Sequence, residues 1–174
     1  MVEFFSDAVL RYKLKKRLKI TNNRSKEPIR SFESMAVILP LDRLVDESVF
    51  VTIATSLKIP AQNITFVVFS KRKIEQYSTY NFKLIYCSRN DVSFSGSFSE
   101  EMNSFFEMNW DLLINFFSDR SVFPEFISSF CTSKLRLGFS EANHDINDVL
   151  LDVNPFDNDV FIAEATNYLR AFIK

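Results

Sequence analysis

From residue 35 onward, short apolar runs alternate with amphipathic segments of helical length. Short continuous apolar runs are typical of parallel strands that are buried on both faces, and apolar residues at spacings of three and four are typical of helices that cover a sheet. The predicted strands occupy residues 35–39, 64–69, 82–87, 111–117 and 134–139, and the pattern allows a sixth at 148–153. The predicted helices between and after them occupy residues 46–58, 99–108, 123–131 and 157–174.

This alternation predicts the fold class. Strands joined by helical crossovers form a mostly parallel sheet with helices on both faces, because the crossovers are right-handed and return each strand to the same sheet. We therefore predict a three-layer, Rossmann-like α/β domain of five to six strands over residues 31–174.

Residues 3–20 precede this domain and have the pattern of a helix without Gly or Pro. One side gathers Phe4, Phe5, Ala8, Val9 and Tyr12, which we predict to be the docking side. A second row, which repeats every four residues, is surrounded by cations. The row consists of Leu10, Leu14 and Leu18, and the cations are Arg11, Lys13, Lys15, Lys16, Arg17 and Lys19. Residues 21–34 are polar and are predicted to be a linker, so residues 1–30 form a basic helical arm and linker.

Charge is divided unevenly along the chain. Residues 1–30 hold nine Lys or Arg against three acids, a net charge of +6, and the remaining residues hold twelve basic and nineteen acidic side chains, a net charge of −7. Residues 141–164 contain seven acids and no Lys or Arg. A basic arm on an acidic domain is consistent either with a solvated helix face or with an anionic partner of the arm.

Glycine content argues against the common nucleotide-binding loops. Gly96 and Gly138 are the only glycines, so neither a GxGxxG fingerprint nor a Walker A sequence is present. The turn after the first predicted strand, where a doubly wound protein binds its nucleotide, reads Pro-Leu-Asp-Arg over residues 40–43. We predict no cofactor.

Residues for metal binding or nucleophilic catalysis are also sparse. His144 is the only histidine, and Cys87 and Cys131 are two reduced core thiols by their number and spacing. Asp145, Asp148 and Asp152 do not have the spacing of a calcium loop, Asp111 is predicted to cap or terminate a helix, and no GxSxG elbow occurs. The predicted sets of catalytic and metal-binding residues are empty.

Residues 1–30 also lack the pattern of a secretory signal, because acids precede any apolar run, and no window has the roughly 20 apolar residues of a transmembrane helix. We expect a cytoplasmic protein.

Residues 109–140 resemble part of the N-terminal Rossmann-like domain of bacterial heptosyltransferases, which are glycosyltransferases with two such domains. The resemblance is carried by an Asp-Leu strand, a helix and a strand that ends in a basic-apolar-Gly-Phe pattern. Those positions are Asp111, Leu112, Arg136, Leu137, Gly138 and Phe139. The resemblance implies a Rossmann-like topology and a sugar-nucleotide or other small-molecule ligand. The chain departs from that family in the turn at residues 40–43 and in its expected single domain.

Over nearly its whole length, the order of elements resembles an uncharacterised family of small cytoplasmic proteins from Bacteroidota. The shared pattern is a Lys-rich first helix, a MAVIL strand, a DLLINFF-like strand, a KLRLGF-like strand and a closing amphipathic helix. This resemblance implies no activity.

We interpret the chain as a non-enzymatic binding or adaptor protein whose cationic helix engages a larger assembly. The partner is nucleic acid or the ribosome, an anionic membrane, or an acidic protein surface, and the acidic stretch 141–164 of the chain itself is a further alternative. Homo-oligomerisation through the helix is another. The second interpretation is an enzyme or a glycosyltransferase-like binder of a small molecule or sugar nucleotide that uses the crevice at the carboxyl ends of the strands. Its predicted wall residues are Asp42, Ser70, Ser88, Ser118, Asp119 and Ser140.

Overall fold

The computed structural model describes residues 2–21, 28–43, 45–72, 81–93, 96–118 and 120–173, with side chains from residue 7 onward except that of residue 21. The six strands are β1 Met35–Pro40, β2 Ile64–Ser70, β3 Lys83–Ser88, β4 Asn109–Asn115, β5 Thr132–Phe139 and β6 Val149–Leu151. The helices are α1 Val2–Thr21, α2 Ser48–Ser56, α3 Glu100–Glu107, α4 Val122–Phe130 and α5 Asn158–Phe172.

The six strands form one parallel sheet in the order β3-β2-β1-β4-β5-β6. This is the strand order of a doubly wound Rossmann-type sheet, in which the chain reverses its direction of winding between β1 and β4. The predicted α/β fold class is confirmed, including the sixth strand and the helix that precedes the sheet. The amino ends of β1 and β4 are held in register by Asp111, whose carboxylate accepts hydrogen bonds from the backbone N–H groups of Glu33 (2.6 Å) and Ser34 (3.2 Å) and pairs with Lys134.

One face of the sheet packs against α2 and α5. Side chains of alternate residues on β1, such as Val37 and Leu39, lie in a buried cluster with Phe50 of α2 and Phe161 of α5. Phenylalanine rings meet edge to face in this cluster, for example Phe50 with Phe116 at 5.2 Å between ring centroids. Buried rings of this kind supply large apolar area with no polar atom to satisfy, which accounts for much of the high Phe content.

The segment that precedes β1 also belongs to this core. The sequence pattern predicts a polar linker over residues 21–34, but Ile29 and Phe32 are buried in the same cluster as α2 and α5. This part of the prediction is wrong because two isolated apolar residues in an extended segment do not produce a helical or strand periodicity. Residues 22–27 of the predicted linker lie outside the described residues.

The opposite face of the sheet is covered by α3, α4 and α1. Leu10 and Leu14 of α1 are each 5% exposed and share a buried cluster with Phe126 and Ile127 of α4, and Leu18 packs against the same cluster. Burial of one leucine side chain stabilises a fold by about 1.5–3 kcal/mol. The basic helix is therefore docked on the body through its leucine row.

The docking face of α1 differs from the predicted one. Ala8 is exposed and Tyr12 is 73% exposed, whereas Leu10 and Leu14 are buried. The side chains of Phe4 and Phe5 lie outside the described residues. The prediction was wrong because the leucine row alternates with cations, and the long aliphatic stems of Lys and Arg are able to lie along an apolar surface with the charge at its edge.

Gly138 of β5 makes a close packing contact with the loop that precedes β6. Asn147 packs on its Cα, and a Cβ atom at residue 138 would lie 2.5 Å from the Asn147 amide nitrogen. Asn147 Oδ1 also accepts a hydrogen bond of 2.8 Å from the side chain of Asn115, which is fully buried on β4. Residue 138 is therefore glycine because a larger side chain would collide with Asn147, which is bonded to Asn115.

Among the described residues, no helix is both long enough and apolar enough to cross a bilayer.

We expect Leu14→Ala to lower the free energy of unfolding by about 2–5 kcal/mol, because it leaves a cavity between α1 and α4. The matched control is Ile20→Ala on the same helix, where the side chain is 72% exposed and the change should stay within about 0.5 kcal/mol. Urea unfolding monitored by circular dichroism measures both values. Equal effects of the two substitutions would contradict the docking of α1.

We expect Gly138→Ala to destabilise the fold by about 1–3 kcal/mol, because the added methyl group must displace Asn147. In an Asn147→Ala background the same substitution should cost much less, so the two changes should be strongly non-additive in a double-mutant cycle. Additive effects in urea unfolding would show that the close contact with Asn147 is not the cause.

Candidate functional site

The outward face of α1 carries a stripe of exposed cations. Because Leu10 and Leu14 face α4, the side chains of Arg11, Lys15 and Lys19 project into solvent at one position per helical turn, with Lys16 beside them. Successive members of this row are about 6 Å apart along the helix axis, from a rise of 1.5 Å per residue. Two exposed apolar residues, Tyr12 (73%) and Ile20 (72%), flank the stripe. We call Arg11, Lys15, Lys16 and Lys19 the α1 cationic stripe.

The other two predicted partner-binding cations face the body. The Arg17 guanidinium lies 3.5 Å from the centroid of the Phe130 ring and donates a hydrogen bond of 3.3 Å to the Ser129 carbonyl at the end of α4. Burial lowers the pKa of the Arg17 side chain from its ordinary value. Lys13 is half-buried beside Gly96. Both residues hold α1 on the body, so they are less available to a partner than the four cations of the stripe.

A crevice lies at the carboxyl ends of β1, β2 and β4, where the direction of winding reverses. It consists of two adjoining cavities of about 430 Å³ and about 580 Å³, which share Lys71 and Ser121 in their walls. We call them the basic cavity and the apolar cavity. In open α/β sheets, ligands bind in the crevice outside the carboxyl ends of the strands at this point.

Four cations from distant parts of the chain line the basic cavity. Arg11 comes from α1, Lys71 follows β2, Arg89 follows β3 and Arg120 precedes α4. The only acid in its described wall is Asp7, whose carboxylate pairs with Arg89. Elsewhere in the described chain, no carboxylate forms an ion pair with Lys71 or Arg120. The cavity therefore has an excess of positive charge.

The apolar cavity has more apolar than polar surface, although Asp42, Arg43, Lys71 and Arg72 also line it. Its wall includes Leu41, Phe69 and Phe117, and the Phe156 ring stands at its edge with 78% of its surface exposed. The Arg43 guanidinium lies 4.4 Å from the centroid of that ring. Arg43 also donates hydrogen bonds to the Ser118 hydroxyl (3.3 Å) and to the Pro155 carbonyl, so it is held in place before any ligand arrives.

Only some of the residues predicted to form the wall of the crevice lie in it. Asp42, Ser70 and Ser118 line the apolar cavity. Ser88 is buried and is bonded to the Asp91 carboxylate, and the hydroxyl of Ser140 donates to Asp152. Asp119 lies outside the described residues.

The residues that sequence reasoning missed are Arg43, Lys71, Arg89, Arg120 and Phe156. Only the basic turn at residue 71 gave a signal along the sequence, because the other four are isolated in chain position and meet only in the folded protein.

Each described side chain that was considered as an acid, a base or a nucleophile makes structural contacts of its own. The exposed His144 ring bonds to the Ser140 carbonyl at 2.8 Å. Asp148 accepts a hydrogen bond from the Arg136 backbone, and Asp111 has the structural bonds described above. Cys87 and Cys131 are buried and are not joined in a disulfide. Within the described residues, no three His, Cys, Asp or Glu side chains are placed to hold a metal ion.

Comparison with models of protein families gives one match, over residues 7–172, to a family described as a family of unknown function (DUF6913). The chain belongs to this family. The prediction of an uncharacterised family is thereby confirmed. The DUF6913 match covers most of α1 as well as the α/β body, in agreement with a helix that is part of the folded unit. Comparisons with curated proteins and with solved structures gave no match.

We expect both thiols to be inert in the native protein. Burial, with a smaller contribution from the Asp91 carboxylate, raises the pKa of the Cys87 thiol to about 12. At pH 8 the thiolate fraction would then be about one in ten thousand, and only the thiolate is nucleophilic. A disulfide reagent at pH 8 should therefore react slowly with the native protein and rapidly, with two equivalents, in denaturant. Rapid modification of one thiol in the native state would contradict this assignment.

Proposed function

We propose that the protein is a non-enzymatic binding protein and that its partner is a single-stranded nucleic acid held by the α1 cationic stripe. The observation that carries the proposal is the burial of Leu10 and Leu14 on α4, which fixes the helix so that the α1 cationic stripe faces solvent. A helix in this position presents positive charge to phosphates without having to order its backbone at the moment of binding.

The other exposed residues of α1 support a single strand over a duplex. Tyr12 and Ile20 are large, apolar and largely exposed beside the cations. Aromatic side chains next to a positively charged path are a recurring way to stack unpaired bases. The net charge of −7 on residues 31–174 repels phosphate elsewhere, which would confine a nucleic acid to the basic side of the molecule.

The leucine row argues against a membrane as the partner. Insertion of α1 into a lipid surface would need an apolar face next to the cations, and the row that could serve, Leu10, Leu14 and Leu18, packs against the cluster on α4. Insertion of the leucine row into lipid would require α1 to leave the body and expose that cluster. Within the stretch 141–164, the acids Asp159 and Glu164 of α5 lie on the opposite face of the sheet from α1, whereas Ile146 belongs to the cluster that buries Leu10 and Leu14.

The predictions of the cellular compartment and of the group of source organisms also remain part of this proposal. We propose a cytoplasmic protein from Bacteroidota. The glycosyltransferase-like alternative concerns a different surface, the crevice. Self-association through α1 would bury Phe4, Phe5, Val9 and Tyr12 against another copy, and the side chains of the first two lie outside the described residues.

Charge removal on α1 tests the proposal better than deletion of residues 1–30, because deletion would uncover the cluster beneath Leu10 and Leu14. We expect the triple variant Lys15→Gln, Lys16→Gln, Lys19→Gln to bind a labelled single-stranded RNA oligonucleotide at least about tenfold more weakly in fluorescence anisotropy. The slope of log affinity against log salt should fall by about 2, at about 0.7 for each lost phosphate contact.

The matched control removes the same charge from other exposed positions, with Arg30→Gln, Lys83→Gln and Arg170→Gln. The control should leave the affinity for RNA within about twofold, because salt screens charges that lie more than about 10 Å from the bound strand. Equal losses in the two triple variants, or binding to anionic liposomes but not to RNA, would rule the proposal out. Tyr12→Ala should weaken binding with an unchanged salt slope, since stacking releases no counterions.

A further inference from the structure

The crevice at the ends of β1, β2 and β4 has properties that binding to the exposed face of α1 does not explain. Its two cavities differ in chemistry although they share Lys71 and Ser121. The volume of each is in the range of about 300–1,000 Å³ that is usual for small-ligand pockets. These walls suit a ligand that is anionic at one end and carries at the other a ring with both apolar and polar atoms, because Arg43, Lys71 and Arg72 line the second cavity beside its apolar residues.

The basic cavity is suited to phosphate. Arg11, Lys71, Arg89 and Arg120 reach it from four separate segments, and only Arg89 has its charge balanced by the cavity's own acid, Asp7. Like charges repel, so a fold that gathers cations in one concave site is less stable by itself and is stabilised by a bound anion. Arg and Lys side chains bind phosphate oxygens with charge-assisted hydrogen bonds.

The apolar cavity is suited to a planar ring. The Phe156 ring is largely exposed at its edge, and the Arg43 guanidinium is held near that ring by bonds to Ser118 and Pro155. A base placed here would contact an aromatic face and a fixed guanidinium, both of which stack on nucleobases.

We propose that the crevice is a nucleotide site that takes a nucleoside diphosphate, with its phosphates in the basic cavity and its base against Phe156 in the apolar cavity. Recognition of phosphate in this site is by side chains, because the turn after β1 contains Pro40 and a 3-10 segment Leu41–Arg43 in place of a glycine-rich loop. This proposal shares only Arg11 with the α1 cationic stripe and otherwise rests on residues outside the stripe, so it does not depend on Lys15, Lys16 or Lys19.

Isothermal titration calorimetry with four probes, ADP, GDP, CDP and UDP, tests the site, and inorganic pyrophosphate and the corresponding nucleosides serve as partial ligands. We expect at least one diphosphate to bind, and we expect its nucleoside and pyrophosphate each to bind at least about tenfold more weakly, since each fills one cavity only. Failure of all four diphosphates, or equal affinity of the best one and its nucleoside, would overturn the proposal.

Variants separate the two cavities. Lys71→Gln with Arg120→Gln should weaken diphosphate binding at least about tenfold, from the loss of two charge-assisted contacts. Phe156→Ala should weaken binding of the diphosphate and leave that of pyrophosphate unchanged. Both Lys71 and Arg120 are exposed, so the double variant should fold, which circular dichroism verifies.

Two controls complete the experiment. Lys83→Gln with Arg30→Gln removes equal charge outside the crevice and should leave diphosphate affinity unchanged. The triple variant of Lys15, Lys16 and Lys19 should retain diphosphate binding even where it loses RNA binding, so failure of one proposal is distinguishable from failure of the other. Retention of full affinity by the Lys71 and Arg120 variant would show that the diphosphate binds elsewhere.

Discussion

Apolar packing of α1 on α4 determines the surface chemistry of the whole molecule. Leu10 and Leu14 are buried in the cluster that they share with α4, and Leu18 packs against it. The Arg17 guanidinium lies on the Phe130 ring at the end of α4. This docking fixes the rotation of α1 about its axis. It directs the cationic stripe into solvent and brings Asp7 and Arg11 to the wall of the basic cavity. Without it, the stripe would have no fixed orientation and the cavity would lose one side.

The two basic regions of the molecule are therefore connected through one helix. Arg11 belongs both to the α1 cationic stripe and to the basic cavity, whereas Lys15, Lys16 and Lys19 lie further along the helix. Positive charge thus continues from the mouth of the crevice along the surface of α1, whereas residues 31–174 carry a net negative charge. Such a distribution attracts anions to one side of the protein and disfavours their binding elsewhere.

The fold could be predicted well from sequence because its signal is local. The MAVIL run gives β1, and the runs at β2 and β4 are equally continuous, since strands buried on both faces need apolar residues at every position. Prediction failed for Ile29 and Phe32, which join the core from an extended segment with no periodicity. It also failed for the inward face of α1, where Lys13 and Arg17 alternate with leucines and hide the amphipathic pattern.

The sequence by itself determined the order of strands and helices, the absence of a glycine-rich phosphate loop and the concentration of cations in the first helix. These properties depend on residues that are close together in the chain. Only the tertiary structure decided which cations face outward and that Lys71, Arg89 and Arg120 meet in one cavity near Phe156. The convergence is set by parallel strand order and helix docking, which bring together residues that are far apart in sequence and therefore leave no local pattern.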